Sequence, residues 1–424
     1  MDASDNAGRR ALVVGLGISG IAAALRLRQI GWTPVIVERA AARRSGGYFI
    51  ALFGAGRAAA SRLGILDGLT DRDPAGGAYD IDRAGRRRPG LSFKDFPGQP
   101  WMMTRGDVEE AGFAALPPDV EIRYATVPTR IEQDAGGVEV TLADNAAGTE
   151  TTERFDLVVG ADGLRSTVRR LVFGPDERYL SPMNCMAVAF QLPGALPGHD
   201  LGDCVILMEH RRSMWIFPFK DRPPTVLLSY RTDDVAAEFA RPMAARVREA
   251  YGPEPTGASL GAALDALESA DHVLFDSVEQ VHMDRWHRGR VVLVGDAAWC
   301  VTLYAGMGAS TGLAGADLLG TMLARHPRSV TEALARWERR LRPSIDDLQG
   351  NGLQMRSLFV PATRVELARR QVLVRAGKLP VISRFFTRWR EKAGRMKETD
   401  FAHPDFAHPD FGHPDFGPDR LAHA

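Results

Sequence analysis

Three glycines at a fixed spacing, Gly15-x-Gly17-x-x-Gly20, are followed about 20 residues later by a single carboxylate, Glu38. This pattern suits a dinucleotide. The first glycine makes a tight turn, the second lets the backbone approach a pyrophosphate, and the third lets a helix pack on a strand. Free N–H groups and the positive dipole end at the helix start face the phosphates. A carboxylate at Glu38 accepts hydrogen bonds from both ribose hydroxyls and repels a 2′-phosphate, so FAD or NAD fits and NADP does not. Ser19 in the same turn and Arg39 beside the carboxylate join the expected cofactor-binding set. Two further glycine motifs follow, Val158-Val159-Gly160-Ala161-Asp162-Gly163 and Val292-Leu293-Val294-Gly295-Asp296-Ala297-Ala298. Taken alone, Asp162 or Asp296 could equally be a helix cap.

The elements around these residues are readable from their patterns. Arg10 to Val14 and Pro34 to Glu38 read as short apolar strands and Ile18 to Ile30 as the helix between them. Helical patterns cover Gly54 to Leu66, Arg105 to Leu116 and Thr311 to Arg325, and continue to about Met396. Buried-strand patterns recur at Val138 to Leu142, Leu157 to Val159 and Arg290 to Val294. Residues 185–230 hold four apolar β-like runs, the clearest being Cys204 to Met208, Met214 to Phe219 and Thr225 to Tyr230, which read as a second sheet.

With these motifs in this order, residues 8–375 resemble the class A flavoprotein monooxygenases, the para-hydroxybenzoate-hydroxylase-like group, closest to its antibiotic-tailoring and tetracycline-degrading branch. Ser45-Gly46-Gly47-Tyr48 and Thr104-Arg105-Gly106-Asp107 also look like that branch. The resemblance implies non-covalent FAD, with NAD(P)H as a transient co-substrate. It places Asp296 against the ribitol hydroxyls, Asp162 and Gly163 near the pyrophosphate region and the reductant, and Arg105 and Gly47 near the extended flavin. Gly306, Met307, Gly308, Ala309 and Ser310 open a helix whose free N–H groups would stabilise negative charge at the pyrimidine edge of the ring. In the family, a His or Tyr and then a proline follow Gly-Asp-Ala-Ala. Here Trp299 and Leu303 take those positions, which bears on the space and solvation beside the ring. No side chain is assigned as catalytic and none as a metal ligand.

Phe190, Met208, Trp215, Phe217 and Tyr230 lie on the β-like runs and are the candidate substrate-contacting residues; Met214 and Phe219 share those runs. Arg211-Arg212 reads as a hairpin turn, and His282 and His287 as surface or packing residues.

Composition limits the partners. Lys+Arg 53 against Asp+Glu 53 gives no net charge, which argues against a protein built around nucleic-acid phosphates. Cys185, Cys204 and Cys300 are too scattered for a disulfide framework. The start is not a signal peptide, and no apolar run approaches the ~18 residues of a spanning helix, so a cytoplasmic location is expected. The segment from Thr363 to Glu398 holds eleven Lys/Arg and three Glu, a basic stretch with Phe385, Phe386 and Trp389 that reads as helix packed on the more acidic remainder. From Asp400 the chain repeats DFAHP, with His403, His408 and His413, and reads as a low-complexity tail.

The expected fold is α/β. A glutathione-reductase-type Rossmann FAD domain (8–75, 102–180 and 281–345) carries an inserted β-sheet substrate domain (76–101 and 181–280). C-terminal helices (346–398) and the tail (399–424) complete it. The expected function is an FAD-dependent monooxygenase that hydroxylates or epoxidises a bulky aromatic or polyketide-type natural product, acting as a monomer or homodimer. The alternative is an FAD-dependent, non-redox cyclase of the [4+2] type. A non-catalytic carrier is disfavoured by the retained Asp162 and Asp296 motifs.

Overall fold

The computed structural model describes residues 8–43, 46–91, 98–376, 394 and 397–401. Ser45, Phe385, Phe386, Trp389, Met396 and the repeat histidines His403, His408 and His413 lie outside the described residues. The chain opens with β1 (Arg10–Val14), α1 (Ile18–Gln29) and β2 (Thr33–Val37). Both strands are apolar along most of their length, as strands covered on both faces must be. Next come β3 (Phe49–Leu52), α2 (Gly54–Arg62), β4 (Ala78–Ile81), β5 (Arg87–Pro89) and β6 (Trp101–Thr104). They lead into α3 (Arg105–Ala115), which Thr104 and Asp107 close with a reciprocal capping box, and then β7 (Glu121–Arg123).

An antiparallel trio follows, β8 (Thr126–Gln133), β9 (Val138–Asp144) and β10 (Thr149–Phe155), then β11 (Leu157–Gly160) and α4 (Thr167–Val172). The second large sheet takes β12 (Leu180–Gln191), β13 (Cys204–Glu209), β14 (Arg212–Phe217) and β15 (Thr225–Arg231). Three helices, α5 (Val235–Phe239), α6 (Met243–Tyr251) and α7 (Gly257–Glu268), return the chain to β16 (Leu274–Val281). The chain then runs through β17 (His287–Arg288), β18 (Val291–Leu293), α8 (Asp296–Trp299) and α9 (Gly308–Arg325) to α10 (Val330–Phe359) and α11 (Arg364–Ala376).

The first sheet has the order β17-β18-β11-β1-β2-β7 and is parallel except at β17. All three glycine motifs therefore leave the carboxyl ends of neighbouring strands, where open α/β sheets bind ligands. The second sheet has the order β16-β12-β15-β14-β13-β4-β5. β4 pairs with β13 in parallel and β5 with β4 antiparallel, so these two strands form its far edge.

Two expected boundaries move. The division at 345/346 falls inside α10, which continues past Pro343 because Leu334, Trp337, Leu341, Ile345 and Leu348 form one buried stripe. That stripe outweighs the hydrogen bond lost at an interior proline. The tail does not begin free of the body at 399 either. Asp400 is paired to Arg62 at 2.6 Å, and Phe401 is 1% exposed within the main core.

The second sheet shows how an apolar strand can mislead. Side chains alternate between its faces. Met186, Val188, Phe190, Met214 and Tyr230 pack beneath α6 and α7, whereas Cys185, Ala187, Ala189, Trp215, Phe217 and Leu227 face the opposite side. Phe190 and Tyr230 are thus corrected from candidate substrate contacts to packing residues. Tyr230 confirms this through its hydroxyl, which donates to Glu238 Oε2 at 2.8 Å in the buried layer. Met214 shares that face.

Candidate functional site

The fingerprint turn is fastened at both ends. The Gly15 amide donates to the Val37 carbonyl at 2.8 Å, which ties the end of β1 to β2. A Cβ on Gly20 would lie 1.9 Å from the Gly15 carbonyl oxygen, so α1 abuts the turn with no room for a side chain. Glu38 accepts the Leu16 amide on Oε2 and the Ala40 amide on Oε1, each at 2.9 Å. Its carboxylate therefore braces the turn, and each oxygen retains a lone pair for a further donor. The Ser19 hydroxyl is directed at Gly295 and Gly312, locking α1 to the loop and helix of the third motif. Arg39 is exposed beside Glu38.

A polar groove continues from this turn. Arg105, the first residue of α3, pairs with Glu109 at 2.7 Å, and both lie within 4 Å of a Cβ placed on Gly17. Gly47 sits over the Arg105 Cβ, which brings Tyr48 alongside. Tyr48 and Asp296 each feel the Arg105 charge. Burial raises the Tyr48 hydroxyl above the usual phenol range, with Arg105 opposing. Burial likewise raises the Asp296 carboxyl, with Arg105 and the Cys300 thiol opposing. Yet the Asp296 side chain remains accessible. Accessible and desolvated together describe a carboxylate on the wall of an internal groove.

The same wall carries the start of α9. Gly306 turns the chain at φ 68°, Met307 is the N-cap residue with no side-chain hydrogen bond, and Gly308 begins the helix. The first amides of this 18-residue helix lack intrahelical partners, and Asp296 Oδ1 lies 3.8 Å from a Cβ placed on Gly308. Ala309 is half-buried here, while Ser310 is fully buried and its hydroxyl accepts the Phe53 amide at 3.0 Å. Ser310 thus holds β3 and α2 against α9 instead of offering its hydroxyl to the groove.

Asp162 also differs from expectation. Its oxygens accept the Ser166 hydroxyl and the Thr167 amide at 2.6 Å and the Val168 amide at 3.1 Å, so the side chain caps α4. Only its backbone, with Gly163 at φ 74°, remains to line the groove. Nearby, Arg169 is 0% exposed and joins two motifs, donating to the Leu164 and Ala297 carbonyls at 2.6 and 2.9 Å. The run Val168-Arg169 follows the aspartate motif, yet nothing in the sequence marks Arg169 as a buried tie.

Trp299 points away from the groove into a tryptophan cluster, 4.8 Å from Trp286 and 5.8 Å from Trp337 between ring centroids. Leu303, by contrast, is 38% exposed on the loop, following Thr302 at φ 74°. Arg211 makes the hairpin turn at φ 65° and pairs with Asp233, while Arg212 pairs with Glu209 and Glu254. His282 contacts Gln280 at 3.2 Å, and His287 faces Glu338 at 3.6 Å.

Aromatic residues form a mostly buried row along the face of the second sheet turned away from α6 and α7. Phe49, next to Tyr48, stacks on Phe217 at 4.4 Å; Phe217 neighbours Trp215 at 6.4 Å, and Trp215 stacks on Phe359 at 4.5 Å. Tyr304 closes the row, 5.2 Å from Phe359, with its hydroxyl at 2.8 Å from Ser229 Oγ. Trp215 and Phe217 were readable candidates. Phe49, Tyr304 and Phe359 were missed because they reach this face from three separate elements. A separate cavity of about 450 Å³ takes Met208 together with Arg370 and Asp80 at the outer edge of the sheet; it shares no lining residue with the Asp296 groove.

The residues present fit FAD. Two accessible carboxylates, Glu38 and Asp296, the N-termini of α1 and α9 and the Arg105 guanidinium gather at the ends of three neighbouring strands, β18, β11 and β1. Among the described residues, no helix is long and apolar enough to cross a membrane.

The chain matches the FAD binding domain family over residues 87–346. That match begins beyond the Gly15–Gly20 fingerprint, so the two observations are independent. An uncharacterized protein of Mycobacterium tuberculosis is 31% identical over 328 residues, 73% of this chain and 83% of that protein. A flavin-dependent monooxygenase from an unknown prokaryotic organism is 27% identical over 364 residues, 82% of this chain and 89% of its own. Among solved structures, a tetracycline destructase superposes with a TM-score of 0.73 at 25% identity, over 92% of this chain and 98% of that one.

Proposed function

The chain belongs to the FAD-binding family of flavin-dependent monooxygenases, and from that membership we propose that it hydroxylates or epoxidises a bulky, flat aromatic or polyketide-type molecule using NAD(P)H and dioxygen. The carrying observation is the aromatic row from Phe49 through Phe217 and Trp215 to Phe359, which begins beside the Tyr48–Arg105–Asp296 groove. Bound FAD supplies hydride acceptance and oxygen activation, while the protein supplies orientation and local charge.

Each side chain has a physical task in this reading. The Gly17 backbone and the start of α1 take the pyrophosphate, and Glu38 takes the ribose hydroxyls. Asp296 accepts from the ribitol hydroxyls, which favours its ionised form despite burial. Arg105, with its fork of donors, anchors the extended portion and offsets the Asp296 charge. The first amides of α9, from Gly308 onward, stabilise negative charge at the ring edge. The apolar row orients a flat substrate and keeps water from the reacting face.

A non-redox [4+2] cyclase needs no room for oxygen chemistry beside the ring and would suit bulky apolar groups there, at Trp299 and Leu303. With Trp299 in the core cluster, one of those two supports is gone. Substrate-class dependence tests the proposal. Fused-ring aromatic ketones should accelerate NADH or NADPH oxidation by the FAD-loaded enzyme by about tenfold or more over single-ring phenols, and Trp215→Ala should remove most of that preference. Equal stimulation by both classes would refute the bulky-substrate reading.

A further inference from the structure

Residues 397–401 return to the body and grip α2 and α10. Glu398 Oε2 accepts from Arg57 Nη2 at 2.7 Å, and its Oε1 accepts the Gln99 amide at 3.0 Å. Asp400 receives a two-pronged bond from Arg62, Nη1 to Oδ2 at 2.6 Å and Nη2 to Oδ1 at 2.8 Å. Phe401 is 1% exposed within the main core, and Arg340 Nε donates to its carbonyl at 3.4 Å. The receiving surface is shaped in advance. Arg62 Nε is held by the fully buried Asp317 at 2.6 Å, which turns the remaining edge of the guanidinium to Asp400. A Cβ on Gly54 would stand 2.3 Å from Glu398 Oε2 and 2.8 Å from its carbonyl oxygen, so the segment lies flat only against glycine.

This seat reads an acidic residue followed by an aromatic one, and the chain carries that pair four times at five-residue steps: Asp400-Phe401, Asp405-Phe406, Asp410-Phe411 and Asp415-Phe416. We propose that the seat formed by Arg62, Arg340 and the adjoining core is a recognition site for an Asp-Phe pair, and that the later pairs of the same chain occupy it when the first leaves. The chemistry of the ligand is unchanged by such a shift: a carboxylate for the Arg62 fork and a phenyl ring for the apolar hole. The anchor at Glu398 stays in place while five more residues loop out, and loop-closure entropy grows only with the logarithm of loop length. Each spare pair is tethered close to the seat, so its effective concentration is high. The seat borders the cofactor groove through α2, since the residue before that helix, Phe53, donates its amide to Ser310 at the start of α9. The repeat would thus keep the Arg62 fork and the apolar hole filled through successive dissociations.

Hydrogen exchange at the α2 amides of the full-length, FAD-loaded protein tests this. Phe401→Ala alone should leave exchange within about twofold of the unmodified protein, because Phe406 replaces it; changing Phe401, Phe406, Phe411 and Phe416 together to Ala should accelerate it by about tenfold or more. A second variant leaves the core hole untouched: Asp400, Asp405, Asp410 and Asp415 all changed to Asn should reproduce the acceleration. Three results would overturn the proposal. Phe401→Ala alone could match the fourfold variant, showing that only the first pair fits. Either fourfold variant could retain full protection. Protection in the Phe401→Ala protein could rise with protein concentration, showing that a second copy supplies the occupant.

Discussion

Two glycines of one turn should fail in different ways when each is changed to alanine. At Gly20, the new methyl would lie 1.9 Å from the Gly15 carbonyl oxygen, where a van der Waals contact needs well over 3 Å. The helix must therefore shift by roughly an ångström, and overpacking of this kind costs about 1–3 kcal/mol or more. At Gly17, the methyl would meet Arg105 Nη2 at 3.5 Å and Glu109 Oε1 at 3.7 Å, which are ordinary contacts. The fold alone should tolerate it. If the pyrophosphate lies over Gly17, however, the methyl stands where a phosphate oxygen must come. A comparable ~1–3 kcal/mol then appears in binding, about 5–150-fold in Kd. Calorimetry of the FAD-stripped protein and titration with FAD separate the two. Gly20→Ala should lower the Tm of the stripped protein by several degrees. Gly17→Ala should leave that Tm within about a degree and weaken FAD binding. A Gly17→Ala protein that binds FAD as tightly as the unmodified one would refute the placement of the phosphates.

Asp296→Ala should weaken FAD retention by about 1.5–3 kcal/mol, read by ultrafiltration of the yellow protein. Because burial raises the Asp296 carboxyl, retention by the unmodified protein should begin to fall on acidification above the usual carboxylate range, and the variant should lack that dependence. Lys397, 4.5 Å from the Phe53 ring, is lowered by burial from 10.5 to about 8. The unfolded chain then holds more protons between those values, so this lysine makes stability rise with pH across that window and destabilises fully below about pH 8. Lys397→Met should therefore stabilise the protein by ~1–3 kcal/mol at neutral pH, after allowing for the lost cation–ring contact, with the gain vanishing above pH 10.5 in denaturant melts. Ending the chain after Met396 should cost stability through the loss of Phe401, about 2–3 kcal/mol, whereas ending it after Phe401 should cost little; equal melting of the two truncations would contradict the docked position of that ring.

Local signals carried most of the fold. The fingerprint helix and its strands, the capping box at Thr104 and the strand ends bearing Asp162 and Asp296 all depend on neighbours within a few residues. What was not legible depended on the third dimension. In β12 the run Met186 to Phe190 is apolar on both faces, so period-two alternation cannot say which face turns to α7 and which to the groove. Phe190 and Tyr230 were misplaced for that reason. Asp162 was ambiguous between a cap and a ligand, and the Ser166 and Thr167 partners that decide it lie only a few residues ahead; a tighter reading of that turn could have found them. The tail boundary failed differently. A proline every five residues speaks only to local conformation, whereas Asp400 finds Arg62 across 338 positions of sequence, and composition does not encode such a pairing.

The central claim is redox turnover at bound FAD, and anaerobic mixing tests it most directly. The FAD-loaded protein is mixed with NADH or NADPH, with and without fused-ring aromatic ketones, while the visible flavin band is followed. Dioxygen is then admitted, carrying an isotopic label. The band should bleach, faster with a bound substrate, and recover when dioxygen enters, and the product should carry one labelled oxygen atom. A band that stays oxidised with either nicotinamide while an isomer of the substrate accumulates without dioxygen would contradict it.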